Sequence, residues 1–263
     1  MSLLAEIIAH KEGEVRGREQ RLPLPALPPR RDSVRDFAAA LARPGLQVIA
    51  EVKRKSPAQG TLNDQVRPAE LGRAYEEAGA AAISVLTDTA YFGGSLEHLA
   101  EVSAAVTVPV LRKDFIIGEY QVHESYSAGA DAILLIADVL EGPTLERLAG
   151  LAQTLGLHLL VEGYSDESLA RITRLAPRVA GINSRDLTTM EVNLEALLER
   201  RILLPPGALH VAESGIGSPG DLRRVSAAGY HGALIGTALL TGGDPGATLR
   251  RFLSALTSVE VEK

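Results

Sequence analysis

The chain has 263 residues, 46% of them hydrophobic, and carries 27 basic against 33 acidic side chains for a net charge of −6. That is enough apolar material for a large core and the wrong sign of charge for gripping nucleic acid. With no cysteine, disulfides and thiolate metal sites are excluded and a reducing compartment fits; no apolar run approaches bilayer length either.

The opening Met1-Ser2-Leu3-Leu4-Ala5-Glu6 lacks the basic region and cleavage site of a secretory signal, so a cytoplasmic location is expected. The expected partner is a small anionic molecule, with no nucleic acid or membrane, and a monomer is the default. Residues 3–19 place Leu3, Leu4, Ile7, Ile8 and Val15 among charges at amphipathic helix spacing. Leu22 to Pro29 holds four prolines, too many for a helix or an inner strand, and reads as an extended connector. A second helix is predicted over Ser33–Ala42, with Ser33 as N-cap and Pro44-Gly45 as its stop. None of residues 1–46 is expected to be catalytic; they form an N-terminal helical extension within a single domain spanning 1–263.

From Gln47 onward the pattern predicts strands at 47–52, 81–86, 108–112, 131–136, 158–162, 179–183, 209–213 and 232–236. Helices are predicted between and after them, at about 68–78, 95–105, 119–128, 141–155, 165–175, 193–200, 218–228 and 246–256. Glycine supplies the stop in Ala78-Gly79-Ala80, Ala128-Gly129-Ala130, Thr154-Leu155-Gly156 and Ala228-Gly229-Tyr230. Eight strand–helix units with no strand that reads as an edge predict an α/β fold, a closed (β/α)8 TIM barrel, in preference to an open doubly wound sheet.

In such a barrel the chemistry gathers at the C-terminal ends of the strands. Those ends present Glu51 and Lys53, then Lys113, Glu162, Asn183, Glu213 with Ser214, and Gly236 with Thr237. Strand alternation puts Glu51 and Lys53 on the inward face, away from Val52, and Lys113 shares the parity of Leu111. Glu162 ends the apolar run Leu159-Leu160-Val161, where an acid must be paired, hydrogen-bonded or raised in pKa. Taken singly, each is readable as a structural ion pair. Lysine is scarce, however, at five against 22 arginines, and Lys53, Lys55 and Lys113 all fall at predicted strand ends. A buried lysine can be tuned to exchange its proton, which arginine cannot. Two carboxylates, two lysines and an asparagine around one rim are what general acid–base catalysis uses. The histidines sort elsewhere: His158, His210 and His231 stand at strand starts and His10, His98 and His123 on helices. No pair has ligand spacing, and no metal site is expected.

Ser214-Gly215-Ile216-Gly217-Ser218-Pro219-Gly220 contains the G-x-G-x-x-G run of a dinucleotide fingerprint. That reading needs an acid about 20 positions further on, where the chain has Leu234, Ile235 and Gly236. Nucleotide binding is rejected. Beside the plain alternative of a tight turn into a helix, amides at Ser214-Gly215 and Gly236-Thr237, after the seventh and eighth strands, are expected to cradle a phosphate.

Several stretches resemble one family, indole-3-glycerol phosphate synthase of tryptophan biosynthesis. They are Ile49-Ala50-Glu51-Val52-Lys53-Arg54-Lys55-Ser56-Pro57, Tyr91-Phe92-Gly93-Gly94-Ser95, Pro109-Val110-Leu111-Arg112-Lys113-Asp114-Phe115, Gly129 to Ile136, Gly181-Ile182-Asn183-Ser184-Arg185-Asp186-Leu187 and Ala212-Glu213-Ser214-Gly215-Ile216. Two positions depart from the family pattern, Ser184 where a second Asn is common and Thr237 where Ser or an acid is frequent. The resemblance implies ring closure of 1-(2-carboxyphenylamino)-1-deoxyribulose 5-phosphate to indole-3-glycerol phosphate, with loss of carbon dioxide and water and no cofactor. It implies Lys113 as the acid toward the ketone oxygen, Lys53 as partner of the carboxylate or phosphate and second acid, and Glu162 as the base of the dehydration. Glu51 and Asn183 would hold the lysines and substrate hydroxyls, Arg185 and Glu213 would line the pocket, and Phe115 would cover the ring. Ser56, Ser214, Gly215, Gly236 and Thr237 would hold phosphate. The rivals are another phosphate-binding barrel, such as a sugar-phosphate isomerase, which Lys53 disfavours, and a non-catalytic binder of phosphorylated metabolites.

Overall fold

The computed structural model describes residues 2–56, 60–61 and 67–257. Eight parallel strands follow one another around a closed barrel: β1 (Gln47–Val52), β2 (Ala82–Leu86), β3 (Val110–Lys113), β4 (Ala132–Ile136), β5 (His158–Gly163), β6 (Val179–Asn183), β7 (Leu209–Glu213) and β8 (Gly232–Ile235). The seam is closed by β8 pairing with β1, Gln47 opposite Gly232 and Ala50 opposite Ile235. Helices α1 (Leu3–Arg21) and α2 (Phe37–Leu41) precede the barrel. Between successive strands run α3 (Pro68–Glu77), α4 (Leu96–Ala105), α5 (Glu119–Ser127), α6 (Gly142–Thr154), α7 (Asp166–Leu175), α8 (Leu194–Arg200) and α9 (Pro219–Ala227), and the short α10 (Thr237–Leu240) and α11 (Pro245–Thr257) follow the last strand. No helix among the described residues is long and apolar enough to cross a membrane.

Strand alternation splits the core in two. Ile49, Leu111, Leu134, Leu160, Val211 and Leu234 fill the barrel interior, whereas Val48, Ile83, Val110, Ile133, Val161 and Ile182 pack outward against the helices. The four glycines expected to stop helices, Gly79, Gly129, Gly156 and Gly229, all adopt the left-handed backbone that this role requires. Strand β3 begins at Val110 rather than 108, because Pro109 has no amide to give the ladder, and it extends to Lys113, which pairs with Leu86.

The second helix departs from expectation. It starts at Phe37, not Ser33, and its N-cap is Asp36, whose Oδ1 accepts from Ala39 N at 2.7 Å. The preceding residues are held extended by fully buried Asp131, which takes Arg35 N at 2.9 Å, Arg35 Nε at 2.7 Å and Arg30 Nη2 at 2.7 Å. The same carboxylate accepts Val110 N at 2.8 Å, so one aspartate at the foot of β4 moors both the extension and β3. Thus anchored, α2 presses Phe37, Ala38 and Leu41 into the interior cluster that contains Ile49, Val179 and Val211, plugging the N-terminal end of the barrel.

Phe37 is completely buried, so Phe37→Ala should lower stability by about 3–5 kcal/mol in urea unfolding. A loss under about 1 kcal/mol would show that the plug lies outside the cooperative core.

Candidate active site

At the opposite end, the C-terminal ends of the strands surround a cavity of about 430 Å³. Among its lining are twelve of the thirteen site residues read from the sequence: Glu51, Lys53, Lys113, Phe115, Glu162, Asn183, Arg185, Glu213, Ser214, Gly215, Gly236 and Thr237. The thirteenth, Ser56, has a side chain outside the described residues. Ser184, one of the two departures from the family pattern, is buried next to Gly215 rather than in the cavity.

Register brings the charges together. Ile136 and Gly181 flank Glu162, and Asn183 stands opposite Glu213. At Gly181 a Cβ would come 2.5 Å from Glu213 Oε1, so the missing side chain is what lets the Glu213 carboxylate lean toward Glu162. Lys113 Nζ lies between the two, 3.8 Å from Glu162 Oε2 and 3.7 Å from Glu213 Oε2. Burial works to lower the Lys113 pKa, but Glu162, Glu213 and Glu51 outweigh it and hold the ammonium above the ordinary lysine range. Burial, and next the charge of Glu162, push the Glu213 carboxyl well above the usual carboxylate range against the pull of Lys113. Asn183 donates from Nδ2 to Glu162 Oε1 at 3.3 Å and accepts Arg185 N at 3.0 Å, which fixes its amide orientation.

A second ion pair sits across the rim. Lys53 Nζ is 2.9 Å from Glu51 Oε1 and donates to Thr237 Oγ1 at 2.9 Å. Burial raises the Glu51 pKa, yet Lys53 and then Lys113 hold it below the ordinary value. A Cβ at Gly236 would fall on Glu51 Oε1, so here too a glycine makes the seat for a carboxylate. Beside this pair Ser214 and Gly215 take φ of 65° and 72°. For Ser214 that is a costly conformation for a side-chain-bearing residue, of the kind that clusters at functional sites.

Other lining residues escaped the sequence reading. Leu4 and Ile7 of α1 form part of the cavity wall, a contact that the expectation of a non-catalytic extension did not specify. Their amphipathic stripe was visible, but nothing in a stripe names the surface it covers. Phe92, Leu187 and Met190 add apolar wall from loops; Phe92 and Leu187 lie within the family-like stretches, which by themselves give neither a role. Asp114 pairs with Lys11 and Arg112 rather than Lys113. Burial would raise its pKa, but Arg112 and then Lys11 bring it to about 2.

The family model for indole-3-glycerol phosphate synthase matches residues 4–252. The protein of that name from Geobacillus kaustophilus (strain HTA426) is 48% identical over 245 residues, covering 92% of this chain and 93% of the relative. Its counterpart from Parafrankia sp. (strain EAN1pec) is 42% identical over 261 residues, covering 98% and 96%. Among solved structures, thiamine phosphate pyrophosphorylase from Pyrococcus furiosus superposes with a TM-score of 0.61 at 18% identity, over 85% of this chain and 99% of that one, a likeness of fold alone. With the match running from the first helix into the last, and with relatives of nearly equal length, the chain belongs to the indole-3-glycerol phosphate synthase family.

Proposed function

We propose that the chain closes the pyrrole ring of indole-3-glycerol phosphate from 1-(2-carboxyphenylamino)-1-deoxyribulose 5-phosphate, using the lysines and glutamates of this one cavity as acids and bases. The observation that carries the reading is Lys113 held between Glu162 and Glu213, with Lys53 across the same cavity on Thr237.

The ring carbon that bears the carboxylate attacks the ketone carbon, and the ketone oxygen takes up negative charge. Lys113 donates its proton there. Its raised pKa is no obstacle, since an alkoxide is far more basic than an amine. The attacking ring carbon becomes tetrahedral and the nitrogen on the neighbouring ring carbon an iminium, and the electron pair left as carbon dioxide departs restores the aromatic ring and neutralises the iminium. No cofactor is called for as an electron sink. Dehydration then expels the former ketone oxygen as water while a base removes a proton to form the pyrrole double bond, a task that suits Glu162. Lys53, between Glu51 and Thr237, balances the substrate's carboxylate or phosphate and serves as second acid. Glu51 and Asn183 hold the lysines and the substrate hydroxyls, and Arg185 and Glu213 complete the wall. Ser56, Ser214, Gly215, Gly236 and Thr237 take the phosphate, and Phe115 covers the aromatic ring. The substrate is small and anionic, and the protein acts as a cytoplasmic monomer without nucleic acid or membrane.

Removing a well-placed acid costs on the order of 10² to 10⁴ in rate. Lys113→Ala should lose that much kcat, followed by indole absorbance, while still binding indole-3-glycerol phosphate; near-normal turnover would sink the assignment. A second outcome follows from Glu213. Because its proton is held more tightly folded than unfolded, its contribution to stability declines as pH rises from the ordinary carboxylate range through the raised folded pKa. Glu213→Gln, which cannot ionise, should therefore gain Tm over the parent progressively as pH rises above the ordinary carboxylate range, and a Tm difference independent of pH would refute the raised pKa.

A further inference from the structure

Lys11 is completely buried although it lies on a surface helix. Its Nζ is 2.7 Å from Asp88 Oδ2, 2.9 Å from Asp114 Oδ1 and 2.9 Å from Glu14 Oε2. Asp88 follows the end of β2 and Asp114 follows the end of β3. Each aspartate in turn fixes a stretch of backbone that carries one phenylalanine of the cavity. Asp88 Oδ1 accepts the amides of Tyr91 at 2.8 Å and Phe92 at 3.3 Å, and its carbonyl accepts Gly94 N at 2.8 Å. Asp114 Oδ1 accepts Phe115 N at 2.8 Å, while its Oδ2 takes Thr87 Oγ1 at 2.6 Å and Arg112 Nη2 at 2.9 Å. The two rings face each other with centroids 6.3 Å apart and planes tilted by 40°. Leu4 and Ile7, which line the cavity, share a helical face with Lys11 at spacings of three and four.

We propose that Lys11 is a positioning residue for this reaction: by holding Asp88 and Asp114 together it sets the gap between Phe92 and Phe115, and hence the fit of the aromatic half of the substrate. The inference rests on the synthase reading of the cavity. Asp88 has no other cationic partner among the described residues, so without the ammonium the bridge between the two aspartates is gone, and where both remain ionised they also repel. The loops carrying the rings then separate, while the phosphate end, built from β7 and β8, is untouched. Affinity for the aromatic moiety is lost and affinity for the phosphate is kept.

The chain contains no tryptophan, so binding of indole-3-glycerol phosphate is readable from the ligand's own indole fluorescence. Its Kd should be measured beside that of glycerol 3-phosphate, which lacks the ring, for the parent, for Lys11→Met and for the double variant Lys11→Met with Asp88→Asn. The double variant removes the repulsion along with the cation and serves where the single one fails to fold. The expected result in a folded variant is a loss of about tenfold for the indole ligand, the scale of one displaced aromatic contact pair, with glycerol 3-phosphate within twofold. Turnover should lose kcat/KM through KM, with kcat largely kept. A purely structural Lys11 would lower Tm and leave the ratio of the two Kd values where it was, and that outcome overturns the proposal. A parent protein that binds neither ligand overturns the synthase reading, and the proposal with it; a parent that binds both with an unchanged ratio in the variants overturns the proposal alone.

Discussion

Like charges in a dry enclosure have to be forced together, and the top of this barrel is organised around doing so. Glu162 and Glu213 stand on alternate strands with Lys113 between them, all largely withdrawn from water. Isolated carboxylates at such depth would take up protons or turn outward. They cannot turn outward, because parallel pairing on both sides fixes each strand's register and a one-residue slip would carry every inward side chain to the opposite face. The site therefore inherits its electrostatics from the ladder of backbone hydrogen bonds beneath it. Gly181 and Gly236 complete the arrangement by leaving out side chains where Glu213 and Glu51 need to lie.

The two ends of the barrel divide the labour. At the foot, Asp131 gathers Arg30, Arg35 and the amide of Val110, and α2 seals the interior with Phe37 and Leu41. Arg30, Arg35 and the Val110 amide all find acceptors there, and the result is a closed end in which the buried charge is matched. At the mouth the accounting is deliberately incomplete: Glu162 Oε2 and both oxygens of Glu213 are buried without a hydrogen-bond partner. A native protein tolerates such unmet acceptors where a ligand supplies the missing donors, and substrate hydroxyls suit that role.

How much of this was legible beforehand follows the range of each interaction. Alternation and glycine stops are local, and they yielded eight strands in order and the side of each strand that faces inward. Glu51, Lys53, Lys113, Glu162 and Asn183 could thus be assigned to one rim without any contact being known. Ser33 was misread as a cap because the competing claim on that segment comes from Asp131, nearly a hundred positions later, through Arg30 and Arg35. The cavity wall contributed by Leu4 and Ile7 was hidden for the same reason: a helix advertises an apolar stripe but not its destination. Lys11 shows the limit most plainly. It is one of five lysines in the chain and stands among the charges of a predicted amphipathic helix, whereas its partners at 88 and 114 become neighbours only after two strands have aligned.

The seam between β8 and β1 has a temporal meaning as well. Gln47 and Gly232 meet as nearest neighbours although 185 positions separate them, so a nascent polypeptide leaving the ribosome carries β1 with one open flank until β8 has been made. Contacts of such long range make closure slow, and an unsatisfied strand flank is an invitation to adhere to other chains. A cell that overproduces this protein should meet its main losses before the last strand arrives.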